Sequence, residues 1–157
     1  MRLSAYLAVM FSLAGCGTTP YAPPTGGPTA KISFVNYASR NWELALYDKS
    51  QSCKGRRQVA VLSPPNQVEQ TVHADSDVTF QFYLTNFGDQ PREEYCLVNL
   101  RFVPRSGSRY VVRAEEGPGA CRWSAYDVTN AATPEEITLT RVPWKAGLSE
   151  SSSFCES

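Results

Sequence analysis

Few residues in this chain have the types and spacing that chemistry requires. The single histidine lies in His73-Ala74-Asp75-Ser76-Asp77, and in an extended segment His73, Asp75 and Asp77 would share one face, a spacing suited to a metal ion or to acid-base work. The same run reads more simply as a polar turn between two strands, with Asp75 and Asp77 bonding nearby backbone. We adopt the turn, so no metal and no cofactor are expected. The pairs Glu93-Glu94, Glu115-Glu116 and Glu135-Glu136 would point to opposite faces of a strand, which suits them poorly to a shared proton-transfer task. No GxSxG, glycine-rich phosphate loop or HExxH occurs, and the expectation is a protein that is not an enzyme.

The other candidates are cationic or aromatic. Arg101, Arg105, Arg109 and Arg113 fall around one expected hairpin and would form a basic edge for lipopolysaccharide phosphate or an acidic partner; ordinary edge-strand protection is the alternative. Trp144, after Pro143 and before a Ser-rich tail, is the best exposed aromatic for a partner or ligand. Trp123 shares a strand face with Cys121 and Ala125, which places it inward, against a disulfide; an exposed platform for sugar is the alternative. With 15 basic and 15 acidic residues the chain has no long-range field to recruit nucleic acid, which is excluded as a partner class.

The elements that must carry these residues are short. From Ala30 onward, runs rich in Val, Ile, Phe, Tyr and Trp alternate with Pro, Gly, Asn and Asp clusters, an all-β rhythm. Strands are expected at 31–37, 42–48, 58–62, 68–73, 78–84, 96–103, 109–115, 121–128 and 137–142. Ile32, Phe34 and Asn36 share one side of the first, Val35 and Tyr37 the other, while Val78, Phe80 and Phe82 share a face. Turns are expected at Pro64-Pro65-Asn66, Asn86-Phe87-Gly88-Asp89, Pro104-Arg105-Ser106-Gly107 and Gly117-Pro118-Gly119. Apolar faces of this kind need a second sheet, so the expected fold is an antiparallel β-sandwich of eight or nine strands, immunoglobulin-like or transthyretin-like.

The first residues carry an address. One charge, Arg2, precedes a mostly apolar stretch from Leu3 to Ala14 that is too short to span a bilayer and divides as a secretory signal does. Its end, Leu13-Ala14-Gly15-Cys16, resembles the lipobox of bacterial lipoprotein precursors. That resemblance implies cleavage before Cys16, a diacylglycerol on its thiol and a third acyl chain on the new amino terminus. Anchoring by two or more chains is stable, at roughly 0.8 kcal/mol per buried methylene. In Gram-negative lipoproteins an Asp in the next position commonly signals inner-membrane retention; Gly17 stands there, so the resemblance implies the outer membrane, with the periplasmic face as default.

The domain division expected is a signal peptide at 1–15, a lipidated Cys and Pro/Gly/Thr tether at 16–29, the sandwich at 30–144 and a tail at 145–157. The tether, TTPYAPPTGGPT from Thr18, reads as extended and solvated, Tyr21 included, and could hold the domain up to about 35 Å from a membrane. Export places the remaining Cys53, Cys96, Cys121 and Cys155 in an oxidising compartment, as an even set suited to two disulfides. Three pairings are open; Cys96–Cys121 is preferred because each opens a strand, and Cys53–Cys155 would then pin the tail. The pattern Cys96-x5-Phe102-x-Pro104-x2-Gly107-x2-Tyr110-x-Val112 before Cys121 resembles one in small bacterial lipoproteins with a strand-turn-strand hairpin, and implies a β-rich periplasmic domain. A looser likeness to the type VI secretion outer-membrane lipoprotein lies in joining a lipid anchor to a transthyretin-like sandwich. The expected role is therefore a lipid-anchored, non-catalytic envelope interaction or structural module; a subunit of a trans-envelope secretion assembly, or a module binding glycan or lipid, are the alternatives.

Overall fold

A computed structural model describes residues 18–84, 96–117 and 120–156. The leader with Cys16 and Gly17, the turn expected at Asn86–Asp89, Glu93-Glu94 and Pro118-Gly119 lie outside the described residues. The strands are β1 (Thr29–Asn36), β2 (Trp42–Lys49), β3 (Lys54–Leu62), β4 (Gln67–His73), β5 (Val78–Leu84), β6 (Leu97–Phe102), β7 (Arg109–Gly117), β8 (Ala120–Asp127), β9 (Glu135–Glu136) and β10 (Thr140–Val142), with one 3-10 turn at Ser50–Ser52. They form a β-sandwich of two five-stranded sheets, in the orders β4-β1-β7-β8-β9 and β10-β6-β5-β2-β3. Every pairing is antiparallel except β1 with β7, which run parallel from Lys31 opposite Arg109 to Asn36 opposite Ala114.

Period-2 alternation creates the core. Ala30, Ile32 and Phe34 of β1 and Tyr110, Val112 and Ala114 of β7 face Trp42, Leu44 and Leu46 of β2, Val78, Phe80, Phe82 and Leu84 of β5, and Val98, Leu100 and Phe102 of β6. Within it runs a chain of edge-to-face rings: Trp42 on Phe82 at 5.9 Å, Phe82 on Phe34 at 6.0 Å, Phe34 on Phe80 at 5.2 Å, Phe80 on Phe102 at 6.4 Å, Phe102 on Tyr110 at 5.0 Å. Each such pair adds about 0.5–1.5 kcal/mol beyond its buried area. Asn36, inward with Ile32 and Phe34, is fully buried and satisfied, donating Nδ2 to the Arg40 and Leu62 carbonyls and accepting from the Ala38 amide.

Two expected elements are arranged differently. The strands expected to form a hairpin around Gly107 belong to opposite sheets. The neighbours of β6 are β5 and β10, so β7 pairs instead with β1 and β8, and Phe102 and Tyr110 meet across the core. The connecting loop is tied to β1 by Gly107 N–H to the Thr29 carbonyl (2.8 Å) and Lys31 N–H to the Ser108 carbonyl (3.0 Å), with Gly107 supplying a φ of +74°. The run expected at 137–142 is likewise divided: Glu135–Glu136 joins one sheet and Thr140–Val142 the other, because the chain crosses between them there, with Ile137 and Leu139 packed against the edge of the core.

The first and last described segments are tacked to the outside. Instead of a solvated tether, Thr18–Tyr21 adds to the edge of β3: Gln58 N–H donates to the Thr19 carbonyl (3.1 Å) and Tyr21 N–H to the Gln58 carbonyl (2.9 Å). The Tyr21 hydroxyl donates to the Thr71 carbonyl of β4 at 2.9 Å. An edge strand carries unpaired amides and carbonyls, and this extended segment satisfies them at Gln58. At the other end, Cys155 is bonded to Cys53, and Cys96 to Cys121. The tail continues the pinning through the Phe154 amide to the Cys53 carbonyl (3.0 Å) and the Arg56 amide to the Glu150 carbonyl (2.9 Å).

This strap covers Gln81 and Asn99 on the outer face of the second sheet, 1% and 0% exposed, while the 3-10 turn covers Thr79 beside them. In the chain-entropy picture the Cys53–Cys155 bond, closing 102 residues, contributes about 4.7 kcal/mol and the Cys96–Cys121 bond, closing 25, about 3.5 kcal/mol. Replacing Cys53 and Cys155 by Ser should lower unfolding stability in urea by about 4–5 kcal/mol and open residues 143–156 to protease, while Cys96→Ser with Cys121→Ser leaves the tail protected. Equal protease resistance of all three proteins would show that the strap does not depend on its disulfide.

Candidate functional site

One end of the sandwich collects most of the residues singled out by type. The 3-10 turn, the β4–β5 loop at 74–77, the β6–β7 crossover at 103–108 and the loop after β8 meet there. Asp75, at φ +58°, accepts the Ser106 amide at 3.2 Å and donates its own amide to the Pro104 carbonyl at 2.8 Å. Residues 74–77 thus form a turn, and His73, Asp75 and Asp77 do not line one extended face. No group of three or more His, Cys, Asp and Glu side chains able to hold a metal occurs among the described residues.

At the centre lies Arg105, whose Nη2 donates to Asp127 Oδ2 at 2.6 Å. The Asp127 side chain is almost enclosed, at 6% exposure, whereas the Arg105 side chain is 69% exposed. Burial opposes ionisation of Asp127, but the hydroxyl and amide of Thr129 and the Arg105 guanidinium outweigh it and hold the carboxyl below its ordinary value. The Arg105 amide donates to the Tyr110 hydroxyl at 2.9 Å, and Tyr110 stands opposite Asp127 in the β7–β8 register. The loop arginine is therefore braced from a core ring. Two clefts flank it: one of about 400 Å³ toward Ser106, Thr129 and Glu135, the other of about 370 Å³ toward Asp77, Arg101 and Ile137.

The four arginines are divided by this geometry. Arg101 shares the second cleft with Arg105; it donates to Thr79 Oγ1 (2.9 Å) and to the Ser50 (2.8 Å) and Gln51 (3.1 Å) carbonyls, all uncharged acceptors. Arg109 is exposed at the start of β7. Arg113 lies on the outer face of the first sheet, its guanidinium 5.7 Å from the Tyr37 ring and 5.0 Å from the Tyr126 ring. One continuous basic edge does not form, because the crossover sends β6 and β7 to different sheets. Trp144 is 40% exposed and paired through its backbone with Cys155. Trp123 is half-buried, packed on the core beside Cys96 and Cys121, and lines a separate cleft of about 380 Å³ with Ile137 and Leu139.

A second polar constellation had no sequence motif. Under the strap, Gln81 Nε2 donates to the Tyr47 hydroxyl (2.9 Å) and to Asn99 Oδ1 (3.1 Å), and Asn99 Nδ2 donates to the Phe154 carbonyl (3.0 Å). Arg56 donates to Gln81 Oε1 at 3.0 Å and in a fork to both oxygens of Glu150 at 2.7 Å, with its guanidinium 5.2 Å from the Phe154 ring. Each buried group has a partner, so the network specifies where the strap lies and leaves no donor aimed at a ligand. The only sequence hint is that Thr79 and Gln81 alternate with core residues beside a tail cysteine.

The arrangement suits non-covalent contact. Arg105 offers a braced guanidinium between two polar clefts, with its charge balanced by Asp127, while Arg101 adds a cation held by neutral oxygens. No protein family, curated protein or solved structure matches the chain.

Three carboxylates are held below their ordinary values: Asp127, as above; Glu116, where Ser39 and Arg40 outweigh burial; and Glu150, chiefly through Arg56. Groups lowered in the folded state confer stability above the unfolded carboxylate value and lose it as pH falls through the folded one. Tryptophan fluorescence should therefore report an acid-unfolding limb below about pH 4, and Asp127→Asn should make that limb shallower. An unchanged slope would remove Asp127 as a contributor.

Proposed function

We propose that the chain is a bacterial lipoprotein held in the outer membrane by acyl chains on Cys16, and that its sandwich is a non-catalytic module for interaction or structure in the envelope. The observation that carries this reading is the allocation of the cysteines. Of five, four are joined as Cys53–Cys155 and Cys96–Cys121, the state that an oxidising, exported location sustains; the fifth is the one that closes Leu13-Ala14-Gly15-Cys16. A thiol is the nucleophile that lipid attachment requires.

The interaction surface we assign is the loop end around Arg105. Arg101 and Arg105 reach it from separate segments, and its clefts suit a polar or anionic group on an envelope protein. The sheet edges next to this end, β9 and β10, are only two and three residues long and give little template for strand addition there, so recognition at this end would run through its loops.

Purified from its host, the protein should carry the mass of three acyl chains on Cys16 and partition into detergent. Cys16→Ser should lose both and leave the membrane fraction. In intact cells, a photoreactive residue at Ser106 should capture an envelope partner, and Arg105→Ala should reduce that capture without altering the thermal midpoint beyond a few degrees. An unmodified, soluble wild-type Cys16 would sink the anchoring, and capture insensitive to Arg105 would sink the assignment of the loop end.

A further inference from the structure

The docking of Thr18–Tyr21 has a geometric consequence if Cys16 is the lipid attachment point, the reading on which this inference rests. Only Gly17 separates Cys16 from the first docked residue. Two residue steps span at most about 7 Å, whereas a free tether to Thr29 would reach several times farther. We propose that the β3 side of the sandwich lies directly on the headgroups of the membrane that holds Cys16.

The charge pattern of that side supports a lipid surface as its partner. Where β2 ends and β3 begins, Lys49 stands directly opposite Lys54. Both are exposed and neither has an ion pair among the described residues. Like charges directly opposite on paired strands are mutually repulsive, and anionic headgroups relieve that repulsion. The neighbouring cations are already balanced: Arg57 by Asp48 at 2.6 Å and Arg56 by Glu150 at 2.7 Å. The same edge strand exposes Val61, at 49%. Tyr21 fixes the segment from the other sheet, wedged beside Val72 and Leu46 in a cleft of about 270 Å³; burial, then the charge of Asp48, push its hydroxyl up to about 12, so it keeps its proton and its bond to Thr71.

The test uses the full-length lipidated protein in vesicles of phosphatidylethanolamine and phosphatidylglycerol, with a photoreactive phenylalanine at Lys54 or Val61 on the β3 side, or at Glu136 or Arg141 on the opposite edges. Lipid adducts should be several-fold more frequent at the first pair. Replacing Pro20 and Tyr21 by Gly should free the tether and even out the yields, and Lys49→Gln should lower adducts at Val61 in anionic vesicles but not in vesicles of phosphatidylcholine. Equal yields at all four positions on a protein whose Cys16 carries acyl chains would overturn the orientation alone. Absence of acyl chains on Cys16 would overturn the anchoring and the orientation with it. A contrast that survives the Pro20 and Tyr21 substitutions would also overturn the proposal, because docking would then not set the orientation.

Discussion

The ring chain from Trp42 to Tyr110 is the contact on which the other features rest. It is the place where the two sheets interlock: Phe34 and Tyr110, from one sheet, insert among Phe80, Phe82 and Phe102 of the other. Edge-to-face rings tolerate little sliding, so this packing fixes the offset of the sheets. The offset brings Asp127 and the crossover loop together, since Tyr110 both packs on Phe102 and accepts the Arg105 amide. The position of an exposed guanidinium is thus set by a buried ring one bond network away.

The centre of the second sheet is buried on both faces, which is uncommon for an antiparallel sheet whose strands alternate polar and apolar residues. Its inner face meets the ring chain; its outer face presents Thr79, Gln81 and Asn99. Closing a tail over such a face strips water from amides and hydroxyls, at a cost of about 1–3 kcal/mol for each group left unpaired. The Gln81–Tyr47–Asn99 contacts and the fork of Arg56 on Glu150 remove that cost, and the disulfide reduces the entropy opposing closure. Neither device suffices alone: the network without the covalent bond would compete with hydration, and the bond without the network would bury orphaned donors.

Much of the sandwich was legible because strand residues declare themselves locally. The alternation in Val78-Thr79-Phe80-Gln81-Phe82 and the inward trio Ile32, Phe34 and Asn36 depend only on side chains two apart, and the cysteine pairing preferred from strand positions is that of the structure. What did not show is nonlocal. Nothing near Gly107 signals whether the next strand returns beside β6 or crosses to the other sheet; that choice is made by β1, which offers β7 a free edge from Lys31 to Asn36. The burial of Gln81 and Asn99 has no local signal because part of their cover lies far downstream in a Ser-rich stretch, and Thr79 is covered by the 3-10 turn at Ser50. Thr18–Tyr21 read as tether because what holds it, the unpaired backbone of Gln58 and the Thr71 carbonyl that takes the Tyr21 hydroxyl, belongs to sheet edges that exist only once the sheets are built. At the loop end, the arginines were found by type, but their separation followed from the crossover.

The two tacked ends differ in kind. The carboxyl-terminal strap is covalent and opens only on reduction, whereas the amino-terminal segment is held near β3 and β4 by a few hydrogen bonds and the wedged Tyr21 ring, each bond contributing about 1 kcal/mol net. A domain with no net long-range field cannot orient itself at a distance from a charged surface; short-range devices must do so. Under the proposed anchoring at Cys16, a backbone-docked segment beside an unrelieved lysine pair is such a device, because it would couple the attitude of the whole domain to the few residues between the fold and its lipid.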